Sequence, residues 1–250
     1  MAGTQQGLVV VFGGSGFVGR HIVRRLAKDG FKLRVVMRRP NEALFLKTAG
    51  RTGQIELLQG NIRDETSSGA ALQGASAVIN AVGILYETGP QKFDAVQSAG
   101  AARLAKLAAE QGIDRFIQIS AIGADAGSAS AYARSKAEGE AAILAACPQA
   151  HVLRPSIVVG PEDDFFNRFA RMAQISPALP LVGGGLTRYQ PVGVFDVAQA
   201  VAACLDGAPS GIYALGGPKV YTFRELMELM LDKIGKRRLL VPLPFAVAGM

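Results

Sequence analysis

Leu8-Val9-Val10-Val11-Phe12-Gly13-Gly14-Ser15-Gly16-Phe17-Val18-Gly19 is the stretch that decides the fold. Its first five residues form a short, wholly apolar run, as a parallel strand buried on both faces requires. Val18, Ile22, Val23 and Leu26 then recur at helical spacing, with Arg20, Arg24, Arg25 and Lys28 on the opposite side. Between strand and helix the glycines read G-x-G-x-x-G at Gly14, Gly16 and Gly19, and G-x-x-G-x-x-G at Gly13, Gly16 and Gly19. In that setting glycine permits a tight turn, close backbone approach to a pyrophosphate and close helix–strand contact. The helix N-terminus adds free N–H groups and partial positive charge. The stretch predicts a dinucleotide-binding turn, with Ser15, Phe17 and Val18 beside the glycines, rather than a loop that only packs.

The same rhythm continues outward. Leu33–Met37, Ile55–Leu58, Ala77–Val82, Arg115–Ser120 and His151–Arg154 read as further strands. Helical patterns fall at Thr66–Leu72, Asp94–Gln111 and Tyr132–Ala146. Alternation at this spacing predicts an α/β fold, a doubly wound parallel sheet covered on both faces. After Pro155 glycine and proline become frequent, and the readable helices are Phe195–Leu205 and one opening at Thr222, where Glu225 completes a capping box. The expected organisation is a dinucleotide-binding core over residues 1–155, with 187–205 packing back on it. Residues 156–186 and 206–250 are expected to form a small C-terminal lobe for substrate or partner.

Composition excludes several classes. Two cysteines, Cys147 and Cys204, and two histidines, His21 and His151, argue against a disulfide framework and a metal centre. No window approaches the ~20 apolar residues of a membrane span, so no transmembrane segment is expected. Met1–Gly7 lacks the basic and apolar regions of a secretory signal. The expectation is a cytoplasmic α/β protein. The net charge of +7 is regional: ten basic residues lie between Arg20 and Arg51 against Asp29 and Glu42 alone. Such a field favours an anionic ligand or acidic surface. Without a recognition motif or aromatic platform it does not predict nucleic-acid binding.

The end of the second strand bears on which dinucleotide is held. An NAD site places Asp or Glu there, to bond the ribose 2′-hydroxyl. This chain reads Val35-Val36-Met37-Arg38-Arg39-Pro40 instead. Two guanidiniums suit a 2′-phosphate, so NADP(H) is expected over NAD(H), which stays the alternative. Further on, Tyr132 and Lys136 stand four residues apart, on one face of a helix. The expectation is that the ammonium lowers the phenol's pKa, giving an acid/base near neutral pH.

These features occur in order with Asn80-Ala81-Val82-Gly83, Leu153-Arg154-Pro155 and Pro191-Val192 before Asp196-Val197-Ala198. Together they resemble the extended and atypical short-chain dehydrogenase/reductase superfamily, a Rossmann-type fold, over essentially the whole chain. More narrowly, four segments resemble the branch containing the nucleotide-binding accessory subunit of respiratory complex I and its bacterial relatives. They are Gly60-Asn61-Ile62-Arg63-Asp64, Gly83-Ile84-Leu85-Tyr86, Arg154-Pro155-Ser156 through Gly160-Pro161-Glu162-Asp163, and Asn167-Arg168-Phe169. That resemblance implies a protein that holds NADPH without turning it over. It puts Gly13, Gly16 and Gly19 at the pyrophosphate, Arg38 and Arg39 at the 2′-phosphate, and Asn61 and Ile62 near adenine. It puts Tyr132 and Lys136 at the nicotinamide ribose, and Pro155, Ser156 and Ile157 near the nicotinamide. Ala81, Val82, Gly83, Ser120 and Arg154 complete the expected cofactor contacts.

Departures from the pattern bear on catalysis. Active members carry Ser or Thr at the second or third position of a run past the fifth strand. Here the run is Ser120-Ala121-Ile122, with its hydroxyl at the first position. Gln97 stands where many active members have Asn, and Phe12 where Thr is common. Without a partner hydroxyl the Tyr–Lys pair lacks the usual oxyanion support. Ser120 is therefore the weakest of the catalytic candidates, and a cofactor clamp is expected ahead of a catalyst. Three functions stay open: a non-catalytic accessory or assembly subunit of complex I, an active reductase, epimerase or dehydratase, and a redox sensor acting through a partner. His21 and His151 read as structural. Glu162-Asp163-Asp164 reads as a solvated acidic turn or a contact for a basic partner, and Phe165, Phe166 and Phe169 as the lining of the lobe or the wall of a substrate cleft. Lys236-Arg237-Arg238 before the apolar Leu239–Met250 reads either as a peripheral contact with an anionic membrane surface, on the cytoplasmic face or the matrix side, or as ordinary packing. Members of the branch run longer, so a truncated chain is one of the readings left open.

Overall fold

A computed structural model describes residues 7–244. In chain order the first elements are β1 (Leu8–Phe12), α1 (Phe17–Lys28), β2 (Lys32–Met37), β3 (Ile55–Gln59), α2 (Glu65–Leu72) and β4 (Ala75–Asn80). There follow α3 (Ala99–Glu110), β5 (Arg115–Ile119), α4 (Ala131–Ala146), β6 (His151–Pro155), β7 (Val158–Val159), α5 (Phe165–Ile175), β8 (Ala178–Val182), β9 (Arg188–Tyr189) and β10 (Val192–Gly193). The last are α6 (Val194–Leu205), β11 (Gly211–Leu215), β12 (Tyr221–Thr222), α7 (Phe223–Lys233) and β13 (Leu239–Leu243).

Seven strands form one sheet in the order β11-β6-β5-β4-β1-β2-β3, every neighbouring pair parallel. The alternation of β1 explains why it is apolar throughout. Val9 and Val11 enter one core with Ile22, Val23 and Leu26 of α1 and Val201 of α6, while Val10 and Phe12 enter the other with Leu72, Leu104 and Ile143 of α2, α3 and α4. Strand order reverses at β1, so the C-terminal ends of β1 and β4 border a crevice, where ligands of such sheets bind.

Several boundaries differ from the sequence reading. β4 ends at Asn80, not Val82, because β1 stops at Phe12 and the Ala81 N–H closes the ladder on the Phe12 carbonyl at 2.9 Å. The helix expected from Asp94 opens as a π turn, Asp94–Ser98, before α3. A 3₁₀ segment over Pro40–Ala49 was not foreseen, since proline and mixed polarity hide its period.

By contacts the chain divides into two compact units, residues 7–155 with Phe195–Leu215 and Ser156–Val194 with residues 216–244. The segment 206–215, expected in the small lobe, supplies β11 of the main sheet. Residues 187–194, expected to pack on the core, belong to the second unit. The second unit buries Leu179, Leu181, Phe223, Leu226 and Met227 beside Phe165 and Phe169. Its α7 starts with the Thr222–Glu225 capping box. The acidic turn is structural at Asp163, whose buried carboxylate accepts from the Gly160 and Phe166 N–H groups at 3.1 and 2.6 Å. Leu239–Leu243, the start of the apolar tail, pairs in parallel with β8, and Arg238 is tied to the Ala173 carbonyl at 2.8 Å. That much of the tail is paired as a strand, though Leu239 and Val241 stay exposed; the rest of the expected apolar stretch, residues 245–250, lies outside the described residues.

Candidate functional site

The glycine loop closes as the sequence requires. Gly13 has φ +76°, a left-handed conformation natural to glycine. A Cβ there would stand 2.9 Å from the Ala81 backbone, and one on Gly19 would stand 2.2 Å from the Gly13 carbonyl oxygen. The loop is thus pressed against the end of β4 on one side and the first turn of α1 on the other. α1 begins without a side-chain cap at Gly16. Its leading N–H groups therefore present an anion site flanked by Ser15, Phe17 and Val18.

Beyond β4, the Val82 N–H is held by Asn80 Oδ1 at 3.1 Å, and Asn80 is fixed by Gln118 Oε1 at 2.8 Å. This presents Ala81, Val82 and Gly83 beside α4. A Cβ on Gly83 would lie 3.3 Å from Lys136 Nζ and 3.7 Å from Gln97 Oε1. Gln97 comes from the π turn, donates to Ser135 Oγ at 3.2 Å, and leaves its buried Oε1 without a hydrogen bond. A π turn displaces one backbone position and commonly marks a functional site.

Lys136 is 5% exposed, and its hydrogen bond among the described residues is a long one, 3.5 Å to the Ile119 carbonyl. Burial lowers its pKa to about 8, against the raising influence of Glu140. Tyr132 is half-buried, stacked edge-on against Phe93 at 5.7 Å, with Lys136 Nζ 5.9 Å from its ring centroid. Burial raises the Tyr132 pKa. The expected lowering does not occur, because the ammonium faces the ring while the surroundings penalise phenolate.

Ser120 is buried and donates its hydroxyl to Glu140 Oε1. Glu140 lies one turn beyond Lys136, and Arg154 grips it with Nη2 at 2.5 Å and Nε at 3.1 Å from each oxygen. Arg154 is accordingly raised in pKa by that carboxylate. Ser120 and Arg154 are thereby committed to Glu140, a residue the sequence reading passed over. The signal was present, since Glu140 follows Lys136 by four on the face of α4 that carries Ser135 and Lys136 inward.

The remaining candidates divide. Arg38 and Arg39 are exposed at the end of β2, but Arg39 pairs with Glu42 at 3.1 Å, while Arg38 forms no such pair among the described residues. Asn61 spends its side-chain oxygen on the Arg63 N–H at 3.1 Å. Ile62 is 5% exposed and belongs to the core under α3, so its side chain is a packing residue first. Pro155 ends β6, and Ser156 and Ile157 open the second unit. His21 is buried edge-on between Phe17 and Phe195, and His151 contacts the Ala208 carbonyl at 2.9 Å.

The residues fit a dinucleotide: the loop is a cradle that Cβ atoms would fill, the buried ammonium has unspent hydrogens, and Gln97 Oε1 has an unspent lone pair. When bound, such a group would supply hydride chemistry at its nicotinamide. Lys136 and Tyr132 are the residues that would orient it.

Fold and site define a doubly wound dinucleotide fold of the short-chain dehydrogenase/reductase type, accompanied by a second compact unit. The chain belongs to the NAD dependent epimerase/dehydratase family, whose model matches residues 9–216. It is 41% identical over 246 residues to the mitochondrial NADH dehydrogenase [ubiquinone] 1 alpha subcomplex subunit 9 of Arabidopsis thaliana, covering 96% of this chain and 61% of that protein. It is 31% identical to the ceramide reductase of Caulobacter vibrioides, covering 98% and 76%. The chain thus spans under two thirds of the mitochondrial relative's length. Among solved structures, the Thermus thermophilus UDP-glucose 4-epimerase complex with NAD superposes with TM-score 0.78 at 24% identity, covering 95% of this chain and 86% of that one, a likeness of fold.

Proposed function

We propose that this chain is an NADP(H)-binding protein that clamps its nucleotide without turning it over, as an accessory or assembly subunit associated with respiratory complex I. The observation that carries the reading is the capture of Ser120 by Glu140. Ser120, the one hydroxyl of the run past β5, is spent on a buried carboxylate, itself held by Arg154. What is left, Lys136, Tyr132 and the glycine loop, can grip a ribose and a pyrophosphate. The likeness to mitochondrial complex I subunits supports the partner, and the field between Arg20 and Arg51 supports an acidic or membrane surface on the cytoplasmic or matrix face. Under this reading Arg38 and Arg39 meet the 2′-phosphate, so NADPH is held ahead of NADH.

A second reading is an active NADP(H)-dependent reductase. It is favoured by the ceramide reductase relative, of which the chain covers a larger share, and by Tyr132 and Lys136 on one helix face. The test is native extraction at low salt, followed by identification of retained nucleotide and co-migrating proteins. Retained NADPH and migration with complex I, weakening as salt passes about 0.15 M where the Debye length is roughly 8 Å, is the expected result. A free chain that oxidises NADPH with a ceramide-type lipid would replace it with the reductase reading.

A further inference from the structure

A basic cleft opens at the other end of the sheet. The glycine loop follows the C-terminal end of β1, whereas a cleft of about 880 Å³ opens beside the N-terminal end of β2. It is lined by Arg24 and Lys28 of α1, Lys32 of β2, Arg51 of the turn before β3, and the hydroxyl residues Thr48 and Thr52, with no carboxylate residue in the lining.

Two structural facts separate this cleft from a scatter of surface charge. The nearby acids are turned to other cations: Asp29 to Arg25 at 2.6 Å, Glu56 to Arg34 at 2.8 Å, and Glu42 to Arg39 at 3.1 Å. Among the described residues, Lys28, Lys32 and Arg51 form no ion pair. The end of α1 does not require these cations either. Its carbonyls at Arg25, Leu26 and Ala27 already accept from the N–H groups of Asp29, Phe31 and Gly30. The helix macrodipole amounts to about half a negative charge, against the three cations Lys28, Lys32 and Arg51.

The walls are also fastened together. Gln54 Nε2 donates to the Ala27 and Phe31 carbonyls at 2.7 and 3.0 Å, and Gln54 Oε1 accepts from the Arg51 N–H at 2.8 Å. The turn closes with the Gln54 N–H on the Arg51 carbonyl at 3.0 Å, with Gly53 at φ +76°. One glutamine thus ties the turn carrying Arg51 to the end of α1 carrying Lys28, fixing cations from separate segments around one space.

We infer that this cleft binds a phosphate-bearing anion with more than one negative charge, independently of the nucleotide site. Guanidiniums, ammoniums and hydroxyls are the donors that phosphate oxygens take, and an open cleft suits a charged group that keeps part of its water. The phosphate could belong to a free polyphosphate or to a lipid headgroup.

The test uses the full chain saturated with NADPH. Tripolyphosphate binding is measured by calorimetry, and flotation is measured with phosphatidylcholine vesicles with and without phosphatidylglycerol. The variants are Lys32→Glu with Arg51→Glu, the milder Lys32→Gln with Arg51→Gln, and Lys106→Glu on α3 as a control. Expected is saturable tripolyphosphate binding that weakens about tenfold or more in the paired variants, with NADPH affinity unchanged and the control like the parent. Flotation that needs phosphatidylglycerol and is lost in the same variants, without tripolyphosphate binding, assigns the phosphate to a lipid headgroup and equally supports the site. A parent that binds neither probe, paired variants that bind as the parent does, or a control that loses as much would overturn it. The glutamine pair keeps the test open if charge reversal unfolds the chain.

Discussion

Ser120 on the end of β5 gives its hydroxyl to Glu140, one helical turn past Lys136 on α4. The carboxylate therefore serves Ser120, Arg154 and the field at Lys136 together. Removing it should leave a buried serine, a half-exposed guanidinium and a buried ammonium uncompensated. Glu140→Ala is expected to cost about 2–4 kcal/mol, below the upper range for fully buried pairs because Arg154 reaches solvent. Urea unfolding measures this, and a loss under about 1 kcal/mol would mean the pair behaves as a surface bridge.

Ser120→Ala should separate structure from chemistry. The hydroxyl is one neutral donor to a carboxylate that keeps Arg154, so the stability cost should be about 1–3 kcal/mol. NADPH affinity should hardly move. If any substrate is found whose turnover collapses in Ser120→Ala while affinity holds, the captured hydroxyl is released during reaction and the clamp reading fails.

Arg38 and Arg39 were equivalent in sequence and are not equivalent in the structure. Arg39 is shared with Glu42, while Arg38 is exposed and, among the described residues, forms no ion pair. Arg38→Ala should weaken NADPH by about 1.5–3 kcal/mol, the worth of a charge-assisted bond, and Arg39→Ala by less. Glu42→Gln should tighten NADPH slightly and leave NADH unchanged. Equal losses for both nucleotides in Arg38→Ala would show that no 2′-phosphate is read there.

Much of this architecture was legible from Leu8 to Gly19, because a strand buried on both faces and a glycine turn leave few alternatives. Tyr132 and Lys136 were legible by their spacing, but their pKa values were not. A spacing of four says that two groups share a face, whereas burial shifts the Tyr132 phenol and the Lys136 amine toward their neutral forms. Glu140 was invisible as a site residue because its meaning depends on Ser120 and Arg154, each delivered by a different strand. The seventh strand, Gly211–Leu215, was missed since it follows a Gly- and Pro-rich segment and alternates only weakly.

The Lys136 ammonium gives the free protein a pH signature. Its pKa is about 8 when folded and its ordinary value is 10.5. Between those limits the unfolded chain binds more protons, so stability should rise with pH, by at most about 1.4 kcal/mol per unit. The rise should vanish in Lys136→Met. Nucleotide hydroxyls that accept from the ammonium should favour its charged form, so NADPH affinity should fall as pH passes upward through about 8. A flat affinity profile from pH 7 to pH 9 would remove Lys136 from the ribose contact.

Gly19 offers a test of the cradle that does not depend on charge. A Cβ there would lie 2.2 Å from the Gly13 carbonyl oxygen and 2.7 Å from Gly14 Cα. These are backbone atoms of a turn already closed by the Gly16 N–H on the Gly13 carbonyl at 3.1 Å, so no side chain can swing away. Gly19→Ala must push α1 off the loop, at about 1–3 kcal/mol of overpacking. The displaced N-terminus then no longer aims its N–H groups at a pyrophosphate, and affinity for NADPH and NADH should fall together. Gly53→Ala, at an open turn with no atom within 4 Å of the new Cβ, should carry only its backbone cost and leave nucleotide binding intact. Should Gly19→Ala bind both nucleotides as the parent does, the pyrophosphate is not held by this loop.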